Sequence, residues 1–257
     1  MDASIAGAAG VSSVARSLLQ GAAAPATSNS SPPQSKIPVA IIPARGWSDQ
    51  LPDKHLKRIS GQSFVALAIQ AALQSRLFEH KDILVTSESQ RILDEARHLG
   101  VVGLQRPESL ITAKLPEVIE HALISFEDRR PEKFVVIDPA FPFTSGADVS
   151  AVYDCLSSPL TQSATTATVS RFPVMVTARS GRRGVWRPSD RKKTLLGIGS
   201  VYAVRSEFFA NFKTLISKKG NIHIIPKERA IKVSDAWDFL AASGYAPEIA
   251  RLNGRQL

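Results

Sequence analysis

From Lys36 onward the chain alternates between two kinds of apolar block. Short continuous runs, Val39–Ile42, Ile83–Val85, Val101–Leu104 and Phe134–Ile137, read as strands, because a strand covered on both faces needs no polar alternation. Between them apolar residues recur at helical spacing. Phe64, Leu67, Ile69, Ala72 and Leu73 mark one helix, and Arg91–Leu99 marks a second, closed by Gly100. Glu117–Phe126 and Asp148–Leu156 read as helices in the same way. Strand-helix alternation of this kind predicts an α/β three-layer sandwich, a mostly parallel sheet with helices on both faces.

After residue 160 the rhythm changes. Ala164–Ser170 and Gly199–Val204 read as strands, Ser206–Ile216 as a helix, His223–Ile225 as extended chain and Asp235–Ser243 as a helix. Between the first two lies a basic, irregular stretch, Arg179–Lys193. With no repeat and no second core in the pattern, residues 37–257 are expected to form a single domain with a basic excursion around 171–195. Residues 1–36 are different in kind. Ala, Ser, Gly and Pro dominate them, and Ser28-Asn29-Ser30-Ser31-Pro32-Pro33 ends them. Such a segment has too little apolar surface to offset the entropy of ordering, so it reads as a disordered leader. Its Ser-rich, acid-poor composition also fits an organelle transit peptide, against which stands a lone arginine, Arg16.

Composition narrows the class without deciding it. The 257 residues are 44% hydrophobic and 21% charged, ordinary for a globular protein. No stretch approaches the ~20 apolar residues that span a bilayer, so no membrane partner is expected. The single cysteine, Cys155, excludes an internal disulfide framework and fits a reducing, cytoplasmic compartment; in a helical stretch it reads as a small core residue. The formal net charge of +9 favours anionic partners, be they nucleotides, sugar acids, nucleic acid or an acidic membrane face.

The first strand empties into a loop of small, polar and proline residues, Ala44 to Lys54. Loops at the carboxyl end of a first parallel strand are where α/β sheets bind nucleotides. Arg45 and Lys54 supply cations there, and Gly46 lets backbone approach a ligand closely. The stretch resembles the opening motif of the acylneuraminate and ketodeoxyoctonate cytidylyltransferases, keeping Ile42, Pro43, Ala44, Arg45, Gly46, Ser48, Pro52, Lys54 and Gly61. Further similarities follow in order. Leu84-Val85-Thr86-Ser87-Glu88 is similar to the second-strand segment, and Leu104-Gln105-Arg106-Pro107-Glu108 to an L-R-P-A-E motif with Gln105 inserted or the register shifted by one. Asp138–Thr144 stands at the Q-P-T-S-P-L-R segment, Gly199–Ala203 at N-G-A-I-Y-I, and Trp237-Asp238-Phe239 at the closing motif. The similarity runs from Pro38 to Phe239.

The resemblance implies a nucleotide-diphospho-sugar transferase type of fold and transfer of CMP from CTP to a 2-keto sugar acid, with release of pyrophosphate. It implies that Arg45, Gly46, Ser48 and Lys54 surround the triphosphate, with Lys54 catalytic. It implies also that the Ala44 backbone and Arg106 face the cytosine, and that the excursion contributes to a sugar-acid pocket and a homodimer contact. Several positions depart from the motif. Asp49-Gln50 replace a Lys-Arg pair, Trp47 a glycine, His55 an asparagine and Thr144 an arginine. Carboxylates added beside a triphosphate oppose its binding.

The two aspartates that hold Mg²⁺ in the family correspond here to Lys232 and Ser234. Two arrangements stay open. Asp138 and Asp235 form a displaced Mg²⁺ pair, or Lys232 pairs with Asp138 and replaces the metal altogether. The leading function is therefore a cytidylyltransferase-like activity. One alternative is a catalytically inactive member that binds nucleotide or regulates a partner. A further alternative is nucleic-acid binding through Arg179, Arg182, Arg183, Trp186, Arg187, Arg191, Lys192 and Lys193, where cations surround an aromatic ring. The histidines are scattered without ligand spacing, and no zinc site is expected.

Overall fold

The first strand, β1 (Val39–Pro43), sits inside the sheet, and its side chains divide cleanly between the two faces. Ala40 and Ile42 pack into one apolar cluster, Val39 and Ile41 into another. A computed structural model describes residues 36–170, 174–177, 183–186 and 194–252 of the chain. The chain divides into Met1–Pro32 and Pro33–Leu257. The expected leader, most of the basic excursion and the last five residues lie outside the described residues.

After β1 come a 3-10 turn, Lys54–Leu56, and a two-strand ribbon, β2 (Arg58–Ile59) and β3 (Gln62–Ser63). Ser60 and Gly61, between those strands, both have positive φ, 50° and 82°, the twist a two-residue hairpin turn requires. Helix α1 (Phe64–Gln74) starts on a Ser63 cap, whose side chain accepts from the Ala66 N–H. Then follow β4 (Ile83–Ser87), α2 (Gln90–His98), β5 (Val102–Gln105), α3 (Leu115–Ile124), β6 (Lys133–Ile137) and α4 (Gly146–Asp154). The later part holds β7 (Ser163–Ser170), the hairpin β8 (Val174–Thr177) and β9 (Arg183–Trp186), and β10 (Thr194–Arg205). Helix α5 (Ser206–Phe212), β11 (Gly220–Ile224) and α6 (Ala236–Leu252) complete it.

Among the described residues seven strands form the main sheet, in the order β11-β7-β10-β6-β1-β4-β5. Pairing is parallel except where β10 runs against β6 and β7, so the sheet is mostly parallel, as the alternation of elements predicts. Helices α1, α2 and α4 cover one face through residues such as Val65, Ile92 and Val152. Helices α3 and α5 cover the other through Ile119, Ala122 and Phe209. The three-layer α/β sandwich is thus observed. A third apolar cluster lies beside these layers, where Ala242, Ala246 and Ile249 of α6 meet Phe64, Leu67, Leu51 and Phe143. That cluster fixes the loop after β1 and the segment after β6 against one helix.

Candidate functional site

At the carboxyl end of β1 the Ala44 N–H still donates to the Thr86 carbonyl, 3.0 Å away, so the loop leaves the sheet one residue later. The Arg45 N–H donates to His55 Nδ1 at 2.9 Å, closing the loop across its base. His55 is buried, and its pKa falls to about 3 through burial and the nearby cations Lys54, Arg106 and Arg45. It is therefore a neutral acceptor. The next two N–H groups, of Gly46 and Trp47, donate to Glu88 Oε1 at 2.6 and 3.3 Å. Glu88 follows β4, and a Cβ at Gly46 would lie 2.4 Å from the Ser89 Cβ. No side chain fits there without moving helix α2, so glycine is required by packing.

Arg106 follows β5 and is buried. Its Nη2 donates to the carbonyls of Thr86 (2.9 Å) and Ala44 (3.4 Å), and its Nη1 lies 3.5 Å from Glu88 Oε2. Burial lowers the guanidinium pKa, and Glu88 opposes the shift. Ala44, Glu88 and Arg106 thus lock the first three loops at this end of the sheet to one another.

Two recesses open beside this lock, sharing Arg45, Lys54 and His55. The smaller, about 250 Å³, is completed by Trp47, Ser48, Asp49 and Gln50. Trp47 is 64% exposed, and Asp53, next to Lys54, pairs with Arg91 at 2.9 Å. The larger, about 310 Å³, is completed by Arg106, Leu115 and Val118 on one side and Asp138, Tyr202 and Lys232 on another. Lys54 is half-buried between them. Burial lowers its pKa first; the positive charges of Lys232 and Arg45 add to that, and Asp138 opposes it. Tyr202 reaches the cleft from β10, its pKa raised by burial and by the Asp138 carboxylate.

Asp138 ends β6. Its N–H donates to the Ser200 carbonyl, its Oδ1 accepts from the Ala140 N–H at 2.9 Å, and its Oδ2 lies 3.7 Å from the Lys232 ammonium. Lys232 is held there from its own backbone, because the Val233 N–H donates to the Ala140 carbonyl at 2.8 Å. Its ammonium also lies 5.4 Å from the centre of the Phe141 ring. Asp235 is engaged elsewhere. Its Oδ1 accepts from the Asp238 N–H at 2.9 Å, while Asp238 Oδ2 accepts from the N–H groups of Ser234 and Asp235, a reciprocal cap at the start of α6.

A divalent cation held between carboxylates does not fit these residues. Asp138 already faces an ammonium, Asp235 serves a helix terminus, and Arg45, Lys54 and Lys232 surround the remaining space. Among the described residues no group of three or more His, Cys, Asp or Glu side chains gathers as a metal site. What the cleft does suit is an anion with several negative oxygens.

The sequence-expected residues Arg45, Lys54, Arg106 and Asp138 line one cleft and Ser48 lines the adjoining recess, whereas Ala44 and Gly46 line neither and bond Arg106 and Glu88. Asp235 lies in the α6 cap. Glu88 and Tyr202 were not expected at the site. Both lay in matched motifs, Glu88 in the second-strand segment and Tyr202 in Gly199–Ala203.

Residues 39–227 match the cytidylyltransferase family model. The chain belongs to the cytidylyltransferase family. Curated relatives include an N-acylneuraminate cytidylyltransferase from Escherichia coli O18:K1:H7, 27% identical over 223 residues (78% of this chain, 50% of the relative). Another, of the same description, from Streptococcus agalactiae serotype V, is 24% identical over 220 residues (81% of this chain, 53% of the relative). The chain spans about half the length of these relatives. In fold this cytidylyltransferase-family chain is similar to a CMP:2-keto-3-deoxy-manno-octonic acid synthetase solved with CTP. The TM-score is 0.62 at 15% identity, covering 82% of this chain and 98% of that one.

Proposed function

We propose that the cleft binds CTP and that the protein transfers CMP to a 2-keto sugar acid, releasing pyrophosphate. The observation that carries this reading is the convergence of Arg45 and Lys54 on one cleft at the carboxyl end of the central strands. In this reading the triphosphate lies over those two cations, and the base lies toward Ala44 and Arg106. The anomeric hydroxyl oxygen of the sugar acid attacks the α-phosphorus, the bond to the bridging oxygen breaks, pyrophosphate leaves, and the hydroxyl proton passes to water. Lys54 offsets the charge that builds on the departing oxygens. The half-burial that lowers its pKa also strengthens this attraction, since fewer water molecules screen it.

A second reading is nucleotide binding without turnover, and the Lys232–Asp138 pair favours it. The same family resemblance carries a homodimer, which equilibrium sedimentation checks. Pyrophosphate release from CTP, followed with a panel of keto sugar acids, separates the two activities. Saturable release that disappears in Lys54→Ala supports transfer. Calorimetric binding of CTP without release by any sugar acid supports the second reading. Failure to bind CTP, UTP or ATP would overturn both.

A further inference from the structure

In the cleft just described, an ammonium and not a second carboxylate faces Asp138. We propose that Lys232, fixed by Asp138 and Phe141, is a built-in cation for nucleotide phosphates, so that this cleft binds a nucleoside triphosphate without a divalent metal. The inference rests on the reading of the cleft as a nucleotide site. Two contacts position the ammonium, the ion pair to Asp138 and the Phe141 ring, and the Val233–Ala140 backbone bond sets the register of its segment. Its side chain is 52% exposed, so the charge reaches the cleft and is not sequestered.

Charge counting points the same way. Arg45, Lys54, Arg106 and Lys232 bring four positive charges to the 310 Å³ cleft, and Asp138 is the one carboxylate among its lining residues. A divalent cation entering there meets net repulsion, and the single carboxylate already faces an ammonium. A triphosphate meets the opposite field. Lys54 registers the nearness of Lys232, whose charge helps to lower its pKa, so both ammonium groups belong to one electrostatic site. On ligand entry the phosphates compete with Asp138 for Lys232. The 3.7 Å separation, longer than a direct hydrogen bond, makes that exchange inexpensive.

The test is calorimetric titration of CTP into the full chain, once with excess EDTA and once with Mg²⁺, for the wild type, Lys232→Met and Lys232→Asp. The wild type should bind with dissociation constants that agree within about threefold between the two conditions. Lys232→Met should lose roughly ten- to a hundred-fold in affinity, the worth of one charge-assisted contact, and magnesium should not restore it. Lys232→Asp should lose at least as much in EDTA and recover with Mg²⁺, because a second carboxylate then faces Asp138. Binding by the wild type only with Mg²⁺, or Lys232→Met binding like wild type, would overturn the inference and leave the nucleotide reading standing. If the wild type takes up no CTP in either condition, both fall.

Discussion

His55 sits buried beneath Lys54, Arg106 and Arg45, and it gives the site a pH signature. Folded, its ring stays unprotonated down to about pH 3; unfolded, it takes up a proton below its ordinary value of 6.5. A depressed histidine pKa means that the unfolded state binds more protons in this window, so stability falls as pH falls from 6.5 toward 3. The loss should be on the order of 3 kcal/mol by pH 4. Urea denaturation across that range checks it, and His55→Asn, which keeps an acceptor for the Arg45 N–H, should flatten the slope. An unchanged slope in the variant would place the acid sensitivity elsewhere.

Gly46 gives a second test at this scale. Gly46→Ala should weaken CTP binding by distorting the loop, and adding Ser89→Gly should recover it, since the collision is with the Ser89 Cβ. Single-residue chemistry was partly legible in the sequence. Arg45 and Lys54 stand in a loop whose position any strand-ending pattern reveals, and Lys232 was legible as a change of charge. The partner of Asp235 was not, because a helix cap and a metal ligand use the same carboxylate and differ only in what lies three residues away.

Elements reveal why some boundaries moved. The Asp235–Ser243 pattern stops where Gly244 and Pro247 intervene, yet α6 continues to Leu252. Burial of Ala246 and Ile249 in the third cluster outweighs the poor helix propensity of those two residues. Strand β10 begins at Thr194, five residues before the expected Gly199, because its first half is held by pairing with β7 while Leu195 and Leu196 stay exposed. Pairing without burial leaves no apolar pattern. Helix α5 ends at Phe212 and not Ile216, since Lys213 turns into the left-handed region at φ 49°. Helix α4 begins at Gly146, two residues before the expected Asp148, because Ser145 caps it: Ser145 and Asp148 exchange hydrogen bonds, and Arg229 donates to both Asp148 oxygens, at 2.8 and 3.0 Å. Asp148 is almost fully buried, so Asp148→Ala removes both the cap and the two hydrogen bonds that Arg229 donates to it. Destabilisation on the order of 3–5 kcal/mol is expected in chemical denaturation. A loss under about 1 kcal/mol, the worth of an exposed pair, would show that the network is replaceable.

Across the whole molecule the parallel sheet was legible because its strands are covered on both faces and therefore read as unbroken apolar runs. The antiparallel course of β10 within the main sheet was not, since direction leaves no mark on residue pattern. Basic residues between 179 and 193 lie outside the described residues apart from the backbone of β9. Both apolar faces of the sheet and the third cluster are filled by residues from Val39 to Ile249. A chain beginning at Pro33, the start of the second unit, should therefore fold by itself and carry the cleft. Its thermal midpoint should lie within about 4 °C of the full chain, the shift that roughly 1 kcal/mol produces at this size. Its CTP affinity should match within about threefold, a difference under 1 kcal/mol. A midpoint lowered by much more than that would show that the first 32 residues stabilise the core. An unchanged midpoint with weakened CTP binding would instead place part of the nucleotide site in the leader, where neither Arg45 nor Lys54 accounts for it.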